Sequence, residues 1–143
     1  MSLDIEPALR TAVLADFDIA SMLGGYEGEA SVHTRRPVPD GAEYPMIVIA
    51  AMPVTDADLI NTSLPVVSAD IVAYGQQPAD YRAISEIGYN LRELFHRNRW
   101  AITPTGYRVV EILALGPLPA PTDDETTVAR VVTLTIRLQK QEI

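Results

Sequence analysis

The chain has 143 residues with 11 Lys and Arg against 19 Asp and Glu, and the difference, 11 − 19, gives a formal net charge of −8. This length predicts one domain, and 48% hydrophobic residues are enough for a buried core. The acidic balance argues against general electrostatic binding to nucleic acid or to an anionic membrane, and the absence of cysteine excludes disulfides and thiolate metal sites.

The N-terminal segment predicts a short amphipathic helix. After a capping position at Ser2 or Asp4, apolar side chains recur at helical spacing from Ile5 to Val13. A second apolar cluster follows and ends at the glycine pair 24–25, where glycine can adopt the left-handed conformation that ends a helix. We therefore expect the helical region to end at these glycines.

The next segments predict a loop followed by two neighbouring strands. Residues 26–45 are rich in turn-forming residues and predict a surface loop, with 30–34 as the one candidate for a short strand. The apolar run 46–52 predicts a core strand, and the β-branched run 64–74 predicts its antiparallel neighbour. Asp70 interrupts the second run, so its face of the sheet is either solvated or supplies it with a partner.

The clearest helix lies in the middle of the chain. Apolar side chains from Tyr81 to Phe95 recur at steps of three and four residues. Pro78 suits a first helical turn, and Arg97 and Arg99 complement the dipole at the other end. Periodicity and charge therefore predict the same long helix.

The C-terminal third predicts two strands separated by a proline-rich connection. Residues 107–115 and 129–139 have the composition and alternation of strands. The stretch 116–126 has three prolines within five residues, followed by acidic residues, and predicts an extended, mobile arm without regular structure. The order of elements predicts a single α+β domain over 1–143: an antiparallel sheet of about four strands, with the N-terminal helix and the long central helix packed on one face.

The sequence contains no pattern typical of a catalytic site. It has no Gly-x-Ser-x-Gly motif and no P-loop, and the scattered aromatic residues are interpreted as core and rim residues. His33 and His96 lack a second ligand at metal spacing, and His96 is interpreted as serving the helix C-terminus. We therefore expect no enzyme activity, no cofactor and no metal.

Two features bear on where the protein acts and how it assembles. The chain starts without a basic secretory region and has no apolar run of about 18 residues, so we expect a soluble, intracellular protein. Residues 1–30 are strongly acidic, whereas residues 92–108 carry four arginines against one glutamate. These regions are either solvated faces of a monomer or patches that meet across a subunit boundary.

The order of segments along nearly the whole chain also carries a resemblance. The segments are the N-terminal helix from Ile5 to the glycine pair, Tyr44–Ile49 leading into the first core strand, Ala69–Gly75 leading into the helix from Asp80, and the final strand Ala129–Gln139. Together they resemble the tail-terminator family, also called tail-completion or minor tail proteins, of long-tailed bacteriophages and gene transfer agents. The proline-rich stretch 116–126 departs from the shorter loop expected there.

The resemblance implies a structural virion protein that catalyses no reaction. Family members form a ring, usually a hexamer, which caps the tail tube, stops its polymerisation and provides the surface for head-to-tail joining. The implied partners are further copies of the chain, the tail tube protein and a head-completion or neck protein, with DNA only in transit through the lumen and no membrane. The implied location is the virion tail or neck, after assembly in the host cytoplasm.

Candidate functional residues follow from this expectation. Asp56, Asp58 and Asp70 are candidates for the lumen, because each lies in or beside a predicted strand and acidic groups repel DNA phosphates. The candidates for the subunit interface are Arg92, Arg97, Arg99, Pro117, Pro119, Pro121, Arg130 and Arg137. Two alternatives remain open: another neck component, such as a head-closure or connector protein, and a small metal-dependent hydrolase that uses Asp56, Asp58 or the acidic residues 123–125.

Overall fold

The computed structural model describes residues 5–34, 37–53, 65–122 and 124–141. The predicted α+β class is confirmed. The elements are α1 (Glu6–Ala15), α2 (Phe17–Ala20), β1 (Gly25–Tyr26), β2 (Glu29–Ala30), β3 (Val32–His33), β4 (Met46–Pro53), β5 (Val66–Gln76), α3 (Tyr81–Phe95), β6 (Tyr107–Pro119) and β7 (Thr127–Lys140).

The main sheet has five strands in the order β3-β4-β5-β7-β6. Its four long strands are all antiparallel to their neighbours, as predicted. The fifth strand, β3, has two residues and runs parallel to β4, so the expected sheet of about four purely antiparallel strands is corrected in this detail. Strand β3 lies within residues 30–34, the predicted candidate for a short strand, and β1 and β2 form a separate hairpin just before it.

Both long helices cover the same face of this sheet. On β5, Val67, Ala69 and Ile71 point toward the helices and are buried, whereas Asp70 points the other way and is exposed. The buried residues of α1 and α3 join those of the strands in one hydrophobic cluster. Each large aliphatic side chain buried there contributes about 1.5–3 kcal/mol, so this face is the main source of stability.

The proline-rich stretch is more ordered than its composition predicts. Strand β6 continues to Pro119, so the prediction that 116–126 contains no regular structure is wrong for its first four residues. A bulge at Gly116 and Pro117 shifts the pairing from Leu115 opposite Thr133 to Leu118 opposite Val131. Proline is tolerated here because β6 is the last strand of the sheet, where one side of the strand needs no N–H donor.

The bulge also attaches β6 to the central helix. Gly116 has a φ of 113°, which favours glycine, and its carbonyl accepts a hydrogen bond of 3.0 Å from the Arg92 guanidinium. Pro117 packs against Gly88 of α3 so closely that an added Cβ on Gly88 would lie 2.7 Å from the proline Cβ. The start of the predicted arm is therefore part of the folded core.

Among the described residues, no helix combines the length and the apolar character needed to cross a membrane.

Candidate assembly surface

The sheet face opposite the helices is only partly covered. We call it the open face. Strand register and the alternation of side chains place on it the residues Met46, Val48, Ala50 and Met52 of β4, Val66, Ser68, Asp70, Val72 and Tyr74 of β5, Glu111, Leu113, Leu115 and Leu118 of β6, and Ala129, Val131, Thr133, Thr135 and Arg137 of β7.

Several large apolar side chains of the open face are exposed to solvent. Met52 is 68% exposed, Leu115 64% and Leu118 48%. They lie among polar groups, including Glu111 and Arg137, whose side chains form an ion pair at 3.6 Å. A surface that mixes exposed apolar side chains with a few polar groups is typical of a protein–protein interface.

The lumen candidate that can be located is Asp70. It lies near the middle of the open face, where its carboxylate accepts a hydrogen bond of 2.8 Å from the Thr133 hydroxyl. The sequence left open whether Asp70 is solvated or partnered, and both hold, because the side chain is exposed and hydrogen-bonded. Asp56 and Asp58 lie outside the described residues.

The predicted interface arginines fall into two groups. Arg92 and Arg130 are half-buried and serve the fold: Arg92 binds the Gly116 carbonyl, and the Arg130 guanidinium lies 5.4 Å from the Tyr81 ring centroid on the helix-covered side. Arg137 is exposed on the open face, beside Glu111. Helix and strand positions could be predicted from sequence, but these side-chain partners depend on tertiary contacts.

Arg97 and Arg99 lie with Trp100 in the turn that follows α3, and we call these three residues the cationic knob. The Arg99 guanidinium lies 4.6 Å from the Trp100 ring centroid. Trp100 is 75% exposed, so its interpretation as a core or rim aromatic is corrected toward a surface residue. In the sequence, Trp100 stands between a helix end and a proline turn, next to two arginines, and this position indicates an exposed side chain.

Two hydrogen bonds, one between backbone groups and one to the His96 imidazole, attach the start of the knob to the outer edge of β6. The Arg97 N–H donates to the Ile112 carbonyl at 2.8 Å, and His96 Nδ1 accepts from the Ala114 N–H at 3.0 Å. These contacts cover part of an edge that would otherwise be open to another strand. His96 therefore follows the helix end as expected, but its imidazole binds the sheet.

At one end of the open face, two loops form a groove that the sequence did not predict. We call it the end groove, and its volume is about 430 Å³. Its lining residues come from the loop 38–44, the strands below it and the connection between β6 and β7: Val38, Pro39, Asp40, Gly41, Ala42, Tyr44, Met46, Val48, Tyr74, Pro121, Thr122, Asp124 and Thr127. A groove assembled from segments this far apart leaves no local pattern in the sequence.

Asp124 is held ionised in this groove. The hydroxyls of Thr126 and Thr127 donate hydrogen bonds to its carboxylate at 2.8 and 2.9 Å. These bonds, that from Thr126 first, lower the pKa of Asp124 from its ordinary value of 3.8. The end groove therefore carries a stable negative charge at neutral pH.

The proline candidates have three different environments. Pro117 is packed against α3, whereas Pro119 is exposed at the end of β6 opposite Arg130. Pro121 is exposed and lines the end groove. Pro119 and Pro121 therefore lie at the surface, whereas Pro117 packs against the helix within the folded domain.

The described residues form no arrangement with evident chemistry of its own. His33 is buried, and its Nε2 lies 2.7 Å from the Ser31 hydroxyl oxygen, next to the Tyr26 ring. Within 5–34, 37–53, 65–122 and 124–141, no three His, Cys, Asp or Glu side chains are placed to hold a metal ion. Two of the candidate carboxylates for a hydrolase, Asp56 and Asp58, lie outside these ranges, as does Asp123.

Comparison with known proteins gives no family assignment. No protein-family model matches the chain, and no curated protein matches it. The function of the protein is therefore inferred from the open face, the cationic knob and the end groove.

Proposed function

We propose that this protein is a ring-forming tail terminator: a structural virion protein that caps the tail tube, stops its polymerisation and provides the surface for head-to-tail joining. The observation that carries the proposal is the open face, on which Met52, Leu115 and Leu118 are all about half exposed or more. Exposed apolar side chains grouped on one face are typical of a subunit that packs against other subunits.

The two faces of the sheet support a division between folding and assembly. The helix-covered face closes one hydrophobic core, so a subunit can fold before it meets a partner. Contacts between different surfaces of identical subunits close into a ring when the rotation between neighbours allows it. In this proposal the partners are further copies of the chain, the tail tube protein and a head-completion or neck protein, within the virion tail or neck.

Asp70 is the described candidate for the lumen. Its exposed carboxylate lies near the middle of the open face, beside Thr133, and does not line the end groove. A ring of such carboxylates repels DNA phosphates, which lets the genome pass without binding. The proposal requires no cofactor and no catalytic residue.

The experiment that tests the function is arrest of tube growth. The purified protein is added to tail tube protein from the same particle while that protein polymerises, and tube lengths and tube ends are measured by negative-stain electron microscopy. We expect short tubes with a ring at one end. Tubes that grow as long as they do without the protein would contradict the proposal, and binding to the portal side alone would favour a different neck component.

A matched pair of variants makes this experiment specific. The double substitution Leu115→Asp with Leu118→Asp places two charges on the open face, and we expect it to abolish capping. Tyr89→Ala removes an exposed aromatic side chain from α3, on the helix side, and should cap like the unmodified protein. Circular dichroism confirms that both variants are folded before tubes are mixed.

A further inference from the structure

Two exposed features of the described chain are complementary in charge and in chemical character. The cationic knob presents an exposed indole with the Arg99 guanidinium over its ring and Arg97 in the same turn, and the end groove presents Tyr74 beside the carboxylates of Asp40 and Asp124. We propose that the cationic knob of one copy of this chain inserts Trp100 into the end groove of a second copy. The contact is between different surfaces of two identical subunits.

The knob has the properties of a binding anchor. Trp100 is largely exposed, and the Arg99 guanidinium packs over its ring. Neither Arg97 nor Arg99 forms an ion pair with any other described residue. Tryptophan and arginine side chains dominate the binding energy of many interfaces, so an exposed pair of this kind is suited to docking.

The groove supplies what this anchor needs. Tyr74 lines the groove together with Met46 and Val48, which are almost fully buried beneath it, and Asp40 and Asp124 provide carboxylates. Among the groove's described lining residues there is no lysine or arginine, so two negative charges face an incoming pair of arginines. A volume of about 430 Å³ is large enough for an aromatic side chain.

A knob cannot reach the groove of its own chain. The knob lies beside Glu111 of β6. Glu111 lies opposite Arg137 of β7, and Arg137 lies opposite Val66 of β5, so the knob is at the Val66 end of β5. Tyr74, in the groove, lies eight residues farther along the same strand, which at about 3.4 Å per residue is about 27 Å. The complementary surface must therefore come from another molecule, and a second copy of this chain carries it.

The proposed contact has the geometry that a ring requires. Because each subunit offers a knob at one end of the sheet and a groove at the other, the contact repeats from subunit to subunit. Asp70 is four residues from Tyr74 on β5, about 14 Å, and is not among the residues that line the groove. The inference supplies the subunit contact of the proposed tail terminator and rests on its self-assembly, but it is tested independently of tube capping.

The first test removes the anchor. Sedimentation velocity over a range of concentrations gives the dissociation constant of the self-association for the unmodified protein, for Trp100→Ala and for Tyr89→Ala. We expect Trp100→Ala to raise the dissociation constant at least about 30-fold, the change typical of an interface hot spot. Tyr89→Ala, which removes another exposed aromatic side chain, should leave it unchanged.

The second test reverses one charge on each side of the contact. Asp40→Arg and Arg99→Asp should each weaken self-association, and the chain that carries both substitutions should recover it, because opposite charges face each other again. Arg82→Asp, a charge reversal on the exposed side of α3, is the matched control and should assemble normally. Raising the ionic strength from about 0.05 M to about 0.5 M should weaken the unmodified contact, since salt screens exposed charges.

Each outcome decides the inference. Weakening by Trp100→Ala together with recovery in the doubly reversed chain supports it. It is overturned if Trp100→Ala assembles normally, if the double reversal shows no recovery, or if the unmodified protein stays monomeric up to about 1 mM. If the protein forms a ring that depends on Trp100 but does not arrest tube growth, only the proposed function is contradicted. If Trp100→Ala caps tubes normally, only the knob contact is contradicted.

Discussion

The two faces of the sheet share the same strands but have different chemistry. On β7, Val132, Leu134 and Ile136 point toward the helices and are fully buried, while Thr133 and Thr135 between them lie on the open face. On β6, buried Ala114 is followed by exposed Leu115. Alternation along a strand thus separates residues that hold the fold together from residues available to a partner. Mutations on the two faces should therefore have different consequences.

The largest expected effect on stability is at the centre of the helix-covered face. Leu91 of α3 is fully buried, so Leu91→Ala should lower the free energy of unfolding by about 2–5 kcal/mol through lost burial and a residual cavity. Leu115→Ala, the same change on the open face, should lower it by less than about 0.5 kcal/mol. Urea denaturation at a concentration where the protein is monomeric measures both. Equal losses would contradict the division of the two faces.

The next effect concerns the attachment of β6 to α3. Replacing a helical glycine with alanine usually stabilises a helix, but Gly88→Ala would place a methyl group against Pro117. We therefore expect the free energy of unfolding to fall by about 1–3 kcal/mol. Asn90→Ala, at a half-buried position of the same helix, is the control and should be nearly neutral. A stabilised Gly88→Ala protein would show that Pro117 does not pack against the helix.

A smaller effect is expected at Asp70. Asp70→Ala removes the acceptor for the Thr133 hydroxyl, and because the pair is exposed the free energy of unfolding should fall by at most about 1 kcal/mol. Asp70→Asn keeps an acceptor oxygen and should lose less. Both variants reduce the proposed negative charge of the lumen. Each is therefore measured twice, by thermal unfolding and by DNA passage through assembled particles. A large loss of stability in Asp70→Asn would argue for a structural role.

The smallest effect is a pH dependence in the end groove. Since the folded state lowers the pKa of Asp124, its ionised carboxylate stabilises the fold above pH 3.8, and this contribution disappears as the pH falls through the lowered value. Thermal unfolding of the unmodified protein and of Asp124→Asn should therefore differ slightly at neutral pH and converge in acid. A difference that grows with acidification would contradict the assignment.

Local sequence patterns predicted most of the fold. The central helix, the four long antiparallel strands and the placement of both helices on one face follow from periodicity, and all are present. Strand β3 lies within 30–34, the predicted candidate for a short strand, but its parallel pairing with β4 and the ordered start of 116–126 could not be predicted in this way, because each depends on a neighbouring strand. A deletion of residues 117–125 would consequently remove Pro117 from its packing against Gly88 and disturb the monomer as well as any arm.

The candidate site was less predictable than the fold. The charge distribution predicts interface arginines at the end of α3 and just after it, but only the structure separates Arg97 and Arg99, which are exposed, from Arg92 of α3, which binds the Gly116 carbonyl. The end groove combines two loops and three strands that are distant in sequence, and no local pattern marks it. Sequence therefore suggested the residue types of an interface, whereas their grouping required tertiary structure.

The most direct test of the account is the mass of the purified protein in solution, measured by light scattering over a range of concentrations. One chain has a mass of 15.6 kDa, so a closed ring of six predicts a species of about 94 kDa that loses mass when Trp100 is replaced by alanine. A protein that remains at the mass of one chain at every concentration, and also fails to arrest growing tubes, would contradict the central claim that the open face and the cationic knob are assembly surfaces.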